Sequence, residues 1–276
     1  MTAPPEQHGR AGDLMTIDTD TTDLRPSRRT ITRAAAWSVP VIAAAATAPA
    51  YAASPCDVRV GQLLDWDGTN ASFNRTSNTA ATLTLDPDGT GPVLPMSLDV
   101  TAAYTGNMKP GSETAGSTPN PNFRIAPRVG GLGVSGLSLW QATTSSSPQG
   151  LGDLGTYTFT FSRPVSNLEF TITDIDSQDT DFLDLLRISA SYVVLSKSSS
   201  VLTTTDGQGR EYFYQSYYTN AADNAEGSGG NLTLRLPGPL TSFQIAYSNY
   251  ARSFDNTLDQ DQAIYVSDMT FDYSPC

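Results

Sequence analysis

Histidine is nearly absent from this 276-residue chain: there is one, His8, and there are only two cysteines, Cys56 and Cys276. If the leader described below is removed, no imidazole remains, and a Ser-His-Asp triad, a Cys-His pair and histidine-ligated zinc are all excluded. Catalysis would then fall to two carboxylates standing about 5 to 9 Å apart around a scissile bond, as in glycoside hydrolysis. Only Glu113, Glu169, Glu211 and Glu226 follow residue 52, and no pair of acids is set apart by its surroundings, so a non-catalytic protein is expected. Lysine is as scarce, with Lys109 and Lys197 the whole supply, and the formal net charge is -12. A chain so poor in clustered cations repels phosphate backbones, which argues against nucleic acid and anionic membrane surfaces as partners.

The start of the chain carries an export signal. Ser27-Arg28-Arg29-Thr30-Ile31-Thr32-Arg33 leads into a weakly apolar, Ala-rich stretch from Ala34 to Ala50, which Pro40 interrupts and which is too short to span a bilayer. A basic amphipathic helix of the mature protein would not be followed by Ala48-Pro49-Ala50 and Ala50-Tyr51-Ala52, whose small residues suit a signal peptidase. Cleavage is expected after Ala52. The pattern of Ser27, Arg28, Arg29, Ile31 and Arg33 resembles the twin-arginine class of bacterial signal peptides. The resemblance implies a secreted precursor, with residues 1–52 as leader and 53–276 as one extracellular domain; the general secretory route is the alternative. The leader holds five Arg and five acidic residues, so the remainder keeps 11 basic against 23 acidic groups and a formal charge of -12.

In an exported protein, two cysteines at opposite ends of a domain read as one disulfide clasping its termini, here Cys56 to Cys276. In the chain-entropy model a bridge closing so long a loop contributes about 5 kcal/mol. Lipid modification of Cys56 is the competing reading, and Pro55 before it suits that poorly.

Beyond the leader the pattern is strand-like nearly throughout. Tyr157, Phe159 and Phe161 alternate with polar residues, and after Arg163-Pro164 so do Leu168, Phe170 and Ile172, which predicts a hairpin with one buried face. The same period recurs at Leu232, Leu234 and Leu236, at Phe243, Ile245 and Tyr247, and at Ile264 and Val266. Further strands are expected near 58–66, 81–85, 97–104, 137–142, 185–195, 201–205 and 211–215. About a dozen short strands joined by Gly, Pro, Asn and Ser predict an all-β fold: an antiparallel two-sheet sandwich of the jelly-roll kind, with an up-and-down barrel as the alternative. The Gly-, Pro- and Ser-rich segment near 105–136 reads as a long surface loop, and 144–155 as a second.

Asp174, Asp176, Asp179, Asp181 and Asp184 place five carboxylates in eleven residues, directly after the Leu168 to Ile172 strand. Such density suits Ca²⁺, which takes six to eight oxygen ligands at about 2.3 to 2.6 Å. The spacing is not an EF-hand, and an Asp-rich loop capping its own backbone amides is the alternative. At Asp268 the alternation of Ile264 to Phe271 changes phase, which suggests a bulge. An Asp before an apolar-x-Phe run resembles the final strands of secreted bacterial jelly rolls, including carbohydrate-binding modules, and that resemblance implies a structural calcium near the acid. Phe161-Ser162-Arg163-Pro164-Val165 and Thr171-Ile172-Thr173-Asp174-Ile175-Asp176 also resemble β-sandwich domains of bacterial surface and secreted proteins, which implies fold and location but no chemistry.

A binding module needs an exposed platform of aromatic rings. Tyr217, Tyr218 and Tyr250 are the candidates for exposure, whereas Tyr212, Tyr214 and Tyr247 fall on strand positions that read as core. The expectation from sequence is therefore a secreted, non-catalytic β-sandwich with a binding or structural surface role. A calcium-supported carbohydrate-binding module and a carboxylate-dependent glycan hydrolase are the alternatives, and an extracellular glycan is the candidate partner.

Overall fold

The computed structural model describes residues 58–86, 96–115, 118–144, 150–215, 227–251 and 261–275, with backbone alone for 112–121. The described residues form strands and no helix. In chain order the strands are β1 (Arg59–Leu64), β2 (Ala71–Ser77), β3 (Ala80–Leu85), β4 (Met96–Tyr104), β5 (Met108–Pro110), β6 (Ser112–Ala115), β7 (Thr118–Pro121), β8 (Ile125–Ala126) and β9 (Gly136–Thr143). They continue as β10 (Leu154–Thr173), β11 (Ser177–Gln178), β12 (Phe182–Ile188), β13 (Val193–Lys197), β14 (Val201–Thr205), β15 (Glu211–Gln215), β16 (Leu232–Leu236), β17 (Leu240–Asn249), β18 (Asp261–Ser267) and β19 (Met269–Tyr273).

The 20-residue β10 organises the rest. Its first half lies between β17 and β4, in a layer ordered β14-β15-β12-β17-β10-β4-β3-β2. Its second half lies between β16 and the continuous pair β18 and β19. That second layer runs from β13 through β16, β10 and β18–β19 to β1 and β9, with β5 and β8 outside β9. Every pairing is antiparallel, and hydrogen bonding passes from one layer to the other through β10. The result is an all-β, sandwich-like fold.

The hairpin expected at Arg163-Pro164 is thus not a reversal but a bend. Pairing with β17 shifts register between Thr160 and Val165, where Pro164 has no N–H to give a ladder. Ser162-Arg163-Pro164 lacks the Gly or Asn that a tight two-residue turn requires, so the strand crosses to the other layer instead of folding back. Alternation changes phase at the crossing: Tyr157, Phe159, Phe161 and Val165 are buried at odd positions and Leu168, Phe170 and Ile172 at even ones, with the slip at Ser166-Asn167. The apolar faces of the two layers meet there, with Phe170 stacked on Phe243 at 5.3 Å between centroids and Phe161 within 5.9 Å of Phe271.

Two other expectations are corrected. The segment 105–136 is not one long loop, because β5 to β8 lie in it and Phe123 and Val129 are fully buried. Strands of two to four residues are too short to show alternation, and β5 and β8 are held by β9 rather than by a pattern of their own. The strand expected over 185–195 is two: β12 ends where Ser189 N–H donates to Gln244 O, and β13 belongs to the other layer. At Asp268 the strand does break, between β18 and β19.

Candidate functional site

Three tyrosines converge on the outer face of the first layer. Phe213 of β15 points into the core opposite Leu186 of β12 and is fully buried. Period two then sends its neighbours Tyr212 and Tyr214 to the other face, alongside Leu185. There they line an open groove of about 340 Å³, completed by Leu151, Thr204, Thr205, Asp206 and Tyr250. The core placement expected for Tyr247 holds, since it is fully buried, and Tyr212 is buried as well, but Tyr212 and the half-buried Tyr214 line this second face. Tyr250 is 40% exposed at the rim.

Asp206 fixes one wall. Its carboxylate accepts from the N–H groups of Gln208 at 2.9 Å and Arg210 at 3.0 Å, from Arg210 Nε at 2.6 Å and from the Tyr212 hydroxyl at 3.3 Å. Burial opposes its ionisation, but the Arg210 N–H, the guanidinium and the Gln208 N–H outweigh burial and hold its pKa down to about 2. Both oxygens are thereby committed to the β14–β15 turn.

The acidic loop contributes no lining residue but holds the backbone of Tyr250. Asp174 turns the chain out of β10 in the left-handed region (φ 64°), which Asp adopts more readily than most residues. Ile175 N–H then donates to Gly230 O at 3.1 Å, and β11 folds back on β12. Asn249, at the end of β17, clamps this hairpin: its Oδ1 accepts from Leu183 N–H and Ala251 N–H, and its Nδ2 donates to Asp181 O. Between those bonds Tyr250 N–H donates to Leu183 O at 2.8 Å. The loop that sequence marks for calcium therefore carries the rim tyrosine.

The five acids of that loop are not brought to one point. Asp179 is exposed, Asp174 half-buried, and Asp176, Asp181 and Asp184 are buried. Among the described residues no three Asp, Glu, His or Cys side chains gather as a metal-holding group. Asp184 is fully buried and faces inward: Oδ1 accepts from the Tyr247 hydroxyl at 2.6 Å and Oδ2 from Asp176 N–H at 3.0 Å. Burial, with the Asp176 charge beside it, pushes its pKa well above the ordinary carboxylate range. Burial and the Asp184 charge push Tyr247 up in turn. Asp184 is in phase with Leu186 and Ile188, a signal in the sequence that one acid of the run points into the core.

Gly230 sits against this loop so closely that a Cβ there would lie 2.5 Å from Ile175 N and 2.8 Å from Ile175 O. Both are backbone atoms with nowhere to rotate. Gly230→Ala is expected to lower stability by roughly 1 to 3 kcal/mol in urea denaturation, and a loss under about 0.5 kcal/mol would mean that the loop yields freely.

Asp268 caps its neighbours: it accepts from Trp66 N–H at 3.1 Å and Ser135 Oγ at 2.7 Å, and burial raises its pKa. Arg28, Arg29, Ala52, Cys56, Tyr217, Tyr218 and Cys276 lie outside the described residues. No family model, curated protein or solved structure matches this chain.

Proposed function

We propose that the chain is a secreted, non-catalytic β-sandwich of the jelly-roll kind whose tyrosine-lined groove is a binding surface. The observation that carries this is the groove itself: Tyr212, Tyr214 and Tyr250 come from two strand ends far apart in sequence, and their walls are tied down by Asp206 and Asn249. Side chains held in this way lose little freedom on binding, which favours affinity. Its volume falls at the low end of small-molecule sites, about 300 to 1,000 Å³.

Secretion rests on the Arg28-Arg29 leader, and the terminal disulfide on the register of the end strands. Arg59 stands opposite Tyr273 across β1 and β19, so Cys56 precedes and Cys276 follows one member of a paired couple by three positions. A binding role accords with a single histidine, His8, that falls in the leader, and with Asp184, Asp206 and Asp268 each accepting hydrogen bonds within the fold. The test is a broad array of extracellular glycans, peptides and lipids, probed with the protein and with Tyr250→Ala. At least one ligand class is expected to bind and to weaken tenfold or more in the variant; binding that is indifferent to Tyr250 throughout would refute the reading.

A further inference from the structure

We propose that the groove takes a neutral pyranose glycan, with one sugar ring stacked against Tyr250 and flanked by Tyr214; this rests on the binding reading above. The chemistry of the lining selects the ligand. Among the described residues, no Lys or Arg lines the groove. Arg210, tied to its wall, is bonded through Nε to Asp206, and the Asp206 oxygens accept four hydrogen bonds from the protein. The pair is neutral in sum: Asp206 has no lone pair left for a ligand, and Arg210, whose terminal N–H groups stay exposed, stands outside the described lining of the groove. A uronate or sulfated sugar would lose hydration there without an ion pair from the described lining, on a chain whose formal charge is already -12. An ammonium sugar would likewise find no carboxylate to receive it.

A neutral pyranose meets what is present. One face of the ring is lined with C–H groups and packs on an aromatic face, while its rim of hydroxyls both donates and accepts. Tyr250 is exposed enough to present its ring, and Tyr214 stands beside Leu185 on the floor. Thr204 and Thr205, on the edge strand β14, are exposed and supply hydroxyls along one side. A volume of about 340 Å³ suits one or two rings, so a polymer would cross the groove with most of its length outside.

The test is affinity electrophoresis through gels containing dextran, mannan, galactan, polygalacturonate or chitosan. Retardation is expected in at least one neutral gel, lost tenfold or more by Tyr250→Ala and by Tyr214→Ala, kept by Tyr250→Trp, and untouched by Val194→Ala on the other layer. Thermal melts of each variant show whether it is folded, and Tyr250→Ala, at an exposed position, is the variant that decides. Tyr250-dependent retardation by polygalacturonate or chitosan but by no neutral polymer would overturn the neutral-sugar assignment and leave the groove as a binding site. A Tyr250-dependent ligand on the array that is a peptide or a lipid would overturn it in the same way. If no ligand of any class depends on Tyr250, the binding reading fails and the glycan assignment falls with it.

Discussion

Phe243→Ala is expected to cost about 3 to 5 kcal/mol, near the upper end for a single core truncation. Phe243 sits in the crook of β10, stacked on Phe159 from the first half of that strand at 4.7 Å and 6°, and on Phe170 from the second half at 5.3 Å and 23°. Its ring is 1% exposed and bridges the two layers at the point where they part. Removing it forfeits the transfer energy of a large side chain and two ring contacts, each worth about 0.5 to 1.5 kcal/mol beyond area. Neither half of β10 can close the gap without moving a whole layer, so the cavity stays open. For a domain of this size the loss corresponds to a fall in Tm of roughly 6 to 20 °C. Guanidinium denaturation at unchanged slope measures it; Phe73→Ala, at a half-buried ring set edge-on to Trp66 at 6.2 Å, should lose clearly less. Equal losses at the two sites would mean that the bend of β10 is not held by Phe243.

How the chain announces this fold depends on contrast between neighbours. Where apolar and polar residues alternate cleanly, as at Tyr157 to Phe161 and Leu232 to Leu236, strand and buried face are both legible from residue types alone. Arg163-Pro164 shows that something interrupts the strand, but a reversal and a crossing look alike until the partners are known. In Tyr212-Phe213-Tyr214 every residue is aromatic, so alternation has no contrast, and only pairing with Leu186 decides that Phe213 goes inward. For that reason the groove is not visible in the sequence as a site: its floor reads as core. In the Asp174 to Asp184 run, abundance of charge points to a cation, whereas the loop's conformation is set by which acids lie in phase with buried neighbours. Asp184 falls in with Leu186 and Ile188, and Asn249 converts the rest of the loop into a mount for Tyr250.

That inward acid gives the second large effect. Asp184→Ala should cost about 3 kcal/mol or more, because it leaves the Tyr247 hydroxyl and the Asp176 N–H buried beside a small void, each without the acceptor it had. Asp184→Asn should behave differently. Its amide oxygen accepts from Asp176 N–H, its NH₂ donates to a Tyr247 hydroxyl that rotates to receive it, and no charge is buried next to Asp176. The pH dependence separates the two causes. Because the folded pKa of Asp184 is raised, the folded state holds a proton that the unfolded state has released at the same pH. The stability from this group is complete below the unfolded carboxyl value, about 4, and is lost as pH rises toward the folded value, by at most about 1.4 kcal/mol per pH unit. Asp206 and Asp272, whose pKa values are lowered, act with the opposite sign: their stability is present above about pH 4 and lost as acid protonates them. The wild-type protein should therefore weaken from mildly acidic toward alkaline pH, while Asp184→Asn keeps only the slope that Asp268, whose pKa is also raised, contributes over that span, and overtakes it. Parallel pH profiles for the two proteins would show that Asp184 is ionised in the fold and that a cation, not a proton, compensates it.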